Sequence, residues 1–232
     1  MACATLRLQF AQVRDRQLGW LAACRHVRNL RYIDMSYVGQ VQAEGMSALA
    51  NSPNLGALAS LEVSGSLGDG AWEALALGRG LPALRHLYAS SSGLGGEALL
   101  MLRRGKLFAR LTTLSLSYNT LAEGVAHLDG VRWESIERLE LSGCALDDGG
   151  AEALSRLDAP RLEVLSLSQS SLTERGVLAL LGAQRLPALR LLEVTDCHPL
   201  GHQQAALVAM AALRGVSLLT FDEMIADVTE DE

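Results

Sequence analysis

The feature that most constrains the fold of this chain is a repeated apolar pattern, L-x-x-L-x-L, in which related apolar residues replace some leucines. It begins at nine positions: Cys3, Leu30, Leu58, Leu84, Leu111, Ile136, Leu162, Leu189 and Leu213. The copy at Cys3 is the weakest, and successive starts lie 24–28 residues apart. So regular a period indicates a solenoid, because one copy cannot bury its leucines until neighbouring copies stack against it.

Each copy predicts a short strand, a turn and a helix. The alternation in the first half is typical of a strand, and the second half has helical spacing, as in GGAEALSRL and ERGVLALL. The helical half carries a recurring glycine, at Gly45, Gly70, Gly96, Gly124, Gly150 and Gly176. We interpret this glycine as a sign that helix and strand approach each other closely. Because strands stack about 4.8 Å apart and helices need roughly 8–10 Å, the stack must curve with its strands inside.

Three of the copies carry a longer consensus: LTTLSLSYNTL (111–121), IERLELSGCAL (136–146) and LEVLSLSQSSL (162–172). These runs resemble the leucine-rich repeat proteins of the ribonuclease-inhibitor-like type. The resemblance implies an α/β leucine-rich-repeat solenoid of about nine strand–helix units, with a parallel sheet on the concave face and helices on the convex face. It also implies a non-enzymatic protein-binding scaffold, although a few family members act as GTPase-activating proteins. We predict a repeat domain over residues 1–221 and an acidic tail or cap over 222–232.

Charge and composition narrow the classes of partner. The formal net charge is -6, but the last twelve residues carry six acids and no base, which leaves 20 acids and 20 bases in the rest of the chain. A nucleic-acid-binding protein generally carries a basic stripe, so a neutral body argues against that function. No apolar run is long enough to predict a membrane span. The cysteines form no C-x-x-C pair and no signal peptide is evident, which predicts a cytoplasmic protein with reduced thiols.

Cys144 is the residue that most invites a catalytic interpretation, because Asp147 and Asp148 follow it in the run RLELSGCALDDGG. It occupies the same repeat position as Asn119 and Ser170, however, and that position recurs in every unit. A reactive thiolate needs a base or a positive charge beside it, and the local neighbours are acids. We therefore interpret Cys144 as a buried structural residue and predict no catalytic site.

Two other patterns suggest ligands but are better explained by the repeat. Asp196, Cys197, His198 and His202 could hold a metal ion, but Pro199 and Gly201 interrupt the helix that would bring the two histidines together. The glycine-rich segments GDG, GLGG and DDGG lack the lysine and the spacing of a phosphate-binding loop, and they recur at one turn of the unit. We predict neither a metal nor a cofactor.

The concave face carries the strongest functional signal. All four tyrosines, Tyr32, Tyr37, Tyr88 and Tyr118, map to repeat positions that we expect to face that surface. Tyrosine is enriched at binding hot spots, although it also suits strands in general. One column of the sheet is acidic, with Asp34, Glu62, Glu140 and Glu193. These eight residues predict a site for a folded protein with a basic patch, for example as an inhibitor or an immunity-like protein.

The first strand offers an alternative function. It begins by residue 3 without a polar cap, and an uncovered strand edge can pair with another chain. This pattern favours a structural subunit that forms a homo-oligomer or a larger complex through the ends of the solenoid.

Overall fold

The computed structural model describes residues 4–38, 41–65, 67–107, 109–122, 124–131, 133–197 and 204–220. Nine parallel strands form one sheet in chain order. They are β1 (Thr5–Arg7), β2 (Tyr32–Met35), β3 (Ser60–Val63), β4 (His86–Tyr88), β5 (Thr113–Ser115), β6 (Arg138–Glu140), β7 (Val164–Ser166), β8 (Leu191–Glu193) and β9 (Ser217–Leu219). One strand per repeat confirms the predicted parallel sheet. The boundary predicted at residue 221 and the tail 222–232 lie outside the described residues.

Helices connect the strands and cover the opposite side of the sheet. The α-helices are α1 (Asp15–Ala23), α2 (Ala43–Ala50), α3 (Asp69–Leu77), α4 (Gly96–Arg104), α5 (Asp148–Leu154), α6 (Glu174–Leu181) and α7 (Gln204–Leu213). Consecutive helices pack against each other as consecutive strands do, which confirms the α/β solenoid arc. None of the helices in the described ranges is long and apolar enough to span a membrane.

The fifth unit departs from the predicted pattern, because a 3-10 helix at Val125–Leu128 replaces the α-helix. Its backbone bonds span three residues, as from His127 N to the Gly124 carbonyl at 2.9 Å. The left-handed Gly130, with φ 72°, lies two residues beyond the end of this helix.

The central residue of every strand is apolar and points into the core. These residues pair in register from Leu6 through Ile33, Leu61, Leu87, Leu114, Leu139, Leu165 and Leu192 to Leu218. All except Leu6 are buried in one continuous apolar cluster that runs between sheet and helices. The residues on either side of each central position consequently face the concave surface.

The recurring glycines bring helices together, and the predicted close approach of helix and strand is wrong at the tightest positions. A Cβ atom on Gly45 would lie 2.5 Å from Asp15 Oδ1, and one on Gly124 would lie 2.2 Å from Gly96 Cα. Both neighbours belong to the first turn of the preceding helix. The glycine therefore lets the first turns of consecutive helical segments touch.

An acid in that first turn also caps the next helix. Asp148 in α5 accepts hydrogen bonds from Thr173 N at 2.8 Å, Thr173 Oγ1 at 2.6 Å and Gly176 N at 3.0 Å, all at the start of α6. Burial alone would raise the pKa of the Asp148 carboxyl, but these hydrogen bonds, with Arg175 nearby, hold the pKa below its ordinary value. Asp15 in α1 similarly accepts a hydrogen bond from Gln42 N, just before α2, at 2.8 Å. Each such bond links one repeat to the next.

Candidate functional site

Two rows of side chains cross the concave sheet in register. The first contains Thr5, Tyr32, Ser60, His86, Thr113, Arg138, Val164, Leu191 and Ser217, and the second contains Arg7, Asp34, Glu62, Tyr88, Ser115, Glu140, Ser166, Glu193 and Leu219. The structure thus places six of the eight predicted site residues on the sheet itself. The remaining two, Tyr37 and Tyr118, lie on the turns that follow β2 and β5.

Tyr32 and Glu62 form a joined pair near the N-terminal end of the sheet. The Tyr32 hydroxyl donates to Glu62 Oε2 at 2.7 Å, and the Ser36 hydroxyl donates to Glu62 Oε1 at 3.3 Å. Burial raises the pKa of Tyr32 above its ordinary value, and the hydrogen bond and charge of Glu62 raise it further. The pair is half-buried and still reachable from the concave side.

Asp34 differs from the sequence expectation of an accessible acid, because its side chain is buried. It is only 1% exposed, and its carboxylate accepts from Ser36 N at 2.9 Å and from the Gln9 side-chain amide. A buried carboxylate is stable only when such donors satisfy it. Asp34 therefore holds the end of β2 in place, and the acidic column is shorter than the sequence indicates.

The rest of the predicted set is spread along the sheet. Tyr88 is half-buried in β4, where burial and then the charge of Glu140 raise the pKa of its hydroxyl. Glu140 lies two strands away, beyond the small Ser115, and its Oε1 is 3.9 Å from Arg138 NH1. Glu193 is half-buried two strands further on. The acids are accessible but do not form a tight cluster.

A third row, which we name the rim row, lies on the turns just past the strands. Its members are Phe10, Tyr37, Gly65, Ser91, Tyr118, Gly143, Gln169 and Asp196, and all eight have positive φ, between 49° and 90°. Only glycine adopts this left-handed conformation freely, and other residues pay about 1–2 kcal/mol for it. Three positions nevertheless carry aromatic side chains.

The rim aromatics are the most prominent apolar groups beside the concave face. Phe10 is 74% exposed, Tyr37 57% and Tyr118 55%. The rings of Phe10 and Tyr37 stack with their centroids 5.1 Å apart and their planes 3° from parallel. The Tyr118 ring lies against Gly143, where a Cβ atom would be 2.6 Å from Tyr118 Cδ1. Both arrangements place an aromatic side chain at the solvent-facing edge of the sheet.

Sequence reasoning did not select Phe10 as a site residue. The signal that could have found it is positional, because Phe10 occupies the same place in its repeat as Tyr37 and Tyr118. Restricting attention to tyrosine concealed the row that these residues share.

The next residue of each turn forms a second line, which we name the ladder row. Its described members are Ala11, Val38, Ser92, Asn119, Cys144, Ser170 and Cys197, while Ser66 lies outside the described residues. Asn119 donates through Nδ2 to the carbonyls of Ala89 and Leu116, both at 2.8 Å, and its Oδ1 accepts from the backbone N–H groups of Ser92 and Leu94, both at 3.0 Å. Asn119 therefore satisfies backbone groups of two adjacent repeats.

Cys144 is a member of the ladder row and has no accessible thiol. The side chain is completely buried, and Sγ donates to the Leu116 carbonyl at 3.2 Å. Burial raises the pKa of the thiol, which disfavours the thiolate needed for nucleophilic chemistry. This placement agrees with the structural role inferred from the repeat.

The described residues contain no group of three or more His, Cys, Asp and Glu side chains able to hold a metal ion. Of the candidate metal ligands, Asp196 and Cys197 end the described stretch, whereas His198 and His202 lie outside it.

Comparison with known proteins gives matches to a repeat family and to several solved structures. Residues 134–155 match the family model described as Leucine Rich repeat. The crystal structure of Listeria monocytogenes InlP shares 15% sequence identity at a TM-score of 0.49, covering 84% of this chain and 56% of that one. The crystal structure of the yeast Rad7 and Elc1 complex shares 15% sequence identity at a TM-score of 0.47, covering 91% of this chain and 67% of that one. An internalin (inlF) from Listeria monocytogenes shares 15% sequence identity at a TM-score of 0.45, covering 84% of this chain and 55% of that one. The chain thus spans little more than half the length of the two Listeria proteins. No curated protein matches it.

Proposed function

We propose that this chain, a leucine-rich-repeat protein, is a non-enzymatic scaffold that binds a folded partner protein through its concave face and rim row. A leucine-rich-repeat fold is typical of protein-interaction scaffolds. The observation that carries the proposal is the set of three exposed aromatic side chains, Phe10, Tyr37 and Tyr118, on left-handed backbone.

The rim aromatics cost the fold stability. Each one takes a conformation that glycine would take without strain, and glycine occupies the same position at Gly65 and Gly143. The exposed rings also bury little apolar surface in return. Strained residues of this kind concentrate at functional sites, and exposed aromatic side chains are frequent binding anchors.

The chemistry beside the rim suggests the kind of partner. Half-buried Tyr32 and Tyr88 offer further aromatic surface on the sheet, and Glu62, Glu140 and Glu193 add a negative column. This combination suits a partner that places apolar side chains on the rim and a basic group over the sheet. An inhibitor or immunity-like protein acting on a basic enzyme would fit that description. The described cysteines are free thiols, which supports a cytoplasmic location.

Quantitative affinity capture from a lysate of the native cells tests this proposal. The double variant Tyr37→Ala/Tyr118→Ala removes two rim anchors, and Leu77→Ala/Leu178→Ala removes two exposed apolar side chains from helices α3 and α6 as a matched control. We expect a partner recovered by the unmodified chain to fall at least about tenfold for the rim variant and to persist for the control. Both variants should melt within a few degrees of the unmodified chain. Equal recovery by the rim variant would contradict the proposal.

A second candidate function is assembly through the solenoid ends. In the described part of the chain β1 pairs with β2 only, and Thr5 and Arg7 on it are exposed. At the other end Leu213 is 90% exposed, which is unusual for so large an apolar side chain. Sedimentation velocity over a range of concentrations should then show oligomers that Leu213→Glu disrupts, whereas a monomer at every concentration would exclude this function.

A further inference from the structure

The neutral body of the chain conceals two edges of opposite charge. Basic residues collect in the connections that run from each helix to the next strand: Arg25, Arg28, Arg31, Arg79, Arg85, Lys106, Arg110, Arg156, Arg161, Arg185, Arg190 and Arg214. Acids predominate at the opposite edge, where the helices begin, as with Asp15, Glu44, Glu97, Asp148 and Glu174, although Arg14, Arg16 and Arg175 also lie there. The helix dipole favours this arrangement in general. The helix dipole does not, however, account for the groove that lies at the N-terminal end of the basic edge.

That groove lies between the C-terminal ends of α1 and α2 and has a volume of about 680 Å³. Arg25, Arg28, Ser47 and Asn51 line it, together with small residues of the two helices. The connections that form it, residues 24–31 and 51–59, contain no acidic residue. The two arginines therefore meet no carboxylate in these connections, and the C-terminal ends of α1 and α2 offset their positive charge only in part.

The Arg28 side chain is exposed, and one hydrogen bond orients its guanidinium. Its Nε donates to Asn54 Oδ1 at 3.1 Å, and Asn54 is only 5% exposed. The other end of that amide donates to the Ala22 carbonyl at 3.1 Å, while Asn54 N donates to Ser52 Oγ at 3.1 Å. No described residue accepts a hydrogen bond from the two terminal NH₂ groups of Arg28. A guanidinium that is oriented through Nε can still offer both of these groups to the two oxygens of a carboxylate.

We propose that this groove binds an acidic segment of a partner protein, with carboxylates on Arg28 and Arg25. The surface is separate from the concave face and does not depend on the function proposed for it. A continuous nucleic-acid backbone fits the basic edge less well, because Asp129, Glu137 and Asp158 interrupt it further along. The groove lining also contains no aromatic side chain on which a base could stack.

Fluorescence anisotropy with a labelled peptide of alternating glutamate and glycine tests the inference at low ionic strength, where charges act over about 30 Å. Arg25→Ala/Arg28→Ala should weaken binding at least about tenfold. Arg79→Ala/Arg104→Ala removes the same charge from exposed positions outside the groove and should weaken binding by less than about threefold. Equal losses from the two double variants would overturn the proposal, as would a peptide that does not bind.

Two further measurements distinguish specific binding of a carboxylate from non-specific electrostatic attraction. Arg28→Lys keeps the charge but cannot reproduce the guanidinium held by Asn54, so we expect most of the loss to remain. A single-stranded DNA oligonucleotide of the same formal charge should bind more weakly than the peptide. Unchanged peptide binding by Arg28→Lys, or tighter binding of the oligonucleotide than of the peptide, would contradict a carboxylate site. Neither outcome bears on the Tyr37→Ala/Tyr118→Ala experiment, so the two proposals can fail separately.

Discussion

The rim row and the ladder row lie one residue apart along the same turns, yet their side chains have opposite surroundings. Tyr118 is 55% exposed on strained backbone, whereas the next residue, Asn119, is 5% exposed and satisfies backbone groups of two repeats. The ladder position is mostly small or polar, while the rim position varies from glycine to aromatic residues. The ladder row therefore stabilises the solenoid. The rim row is a candidate for function, because its side chains vary and some of them destabilise the fold.

The largest effect should come from Asn119→Ala. The buried N–H groups of Ser92 and Leu94 would lose their acceptor, and the carbonyls of Ala89 and Leu116 would each lose one of their donors. We therefore expect the free energy of unfolding to fall by roughly 2–4 kcal/mol. Urea denaturation of this variant and of Tyr118→Ala compares the two rows directly. If the tyrosine variant lost as much stability as the asparagine variant, the division between the rows would be wrong.

The next effect concerns the bonds between helices of neighbouring repeats. Asp148→Asn should lower the free energy of unfolding by about 1–2 kcal/mol, because the amide replaces a charged acceptor of three hydrogen bonds.

The same carboxylate predicts a pH dependence. The pKa of Asp148 is lowered in the folded state, so its contribution is complete above the unfolded pKa, near 3.8, and is lost as the pH falls through the folded value. Thermal melts between neutral and acidic pH should therefore show the asparagine variant approaching the unmodified chain at the acidic end. A constant difference at all pH values would contradict this role.

A smaller effect is expected within the ladder row itself. The Ser170 hydroxyl is buried and finds no hydrogen-bond partner among the described residues. Ser170→Ala should therefore leave the free energy of unfolding within about 0.5 kcal/mol of its original value, or raise it. A loss comparable to that of Asn119→Ala in the same urea titration would show that the hydroxyl has a partner.

The smallest change in stability is expected in the rim row. Tyr118→Gly relieves the left-handed strain of about 1–2 kcal/mol and loses about 0.5–1 kcal/mol through the greater freedom of glycine in the unfolded chain. We expect an unchanged or slightly raised melting temperature by calorimetry. Tyr88→Gly is the matched control, because Tyr88 lies in a strand where glycine should destabilise. Equal destabilisation by both changes would mean that the Tyr118 ring supports the fold.

The sequence was sufficient to predict the architecture, because the repeat fixes both the strand period and the inward-facing leucines. It also placed Cys144 correctly among structural positions. It did not reveal that Asp34 is buried, since that depends on Gln9 from the preceding repeat. The left-handed turn at Tyr37 and Tyr118 was equally hidden, because glycine marks it in only two of eight units. The basic edge was not evident from the sequence, because its residues lie about 27 positions apart and are brought together only when the repeats stack.

The most direct test of the central claim is site-specific photocrosslinking in the native cells, with a benzophenone amino acid at position 37, 77, 118 or 178. Positions 37 and 118 belong to the rim, and positions 77 and 178 are exposed on helices α3 and α6. If the rim row binds the partner, the same partner protein forms an adduct at both rim positions and none at the helix positions. Adducts from 77 and 178 with none from 37 and 118 would contradict it.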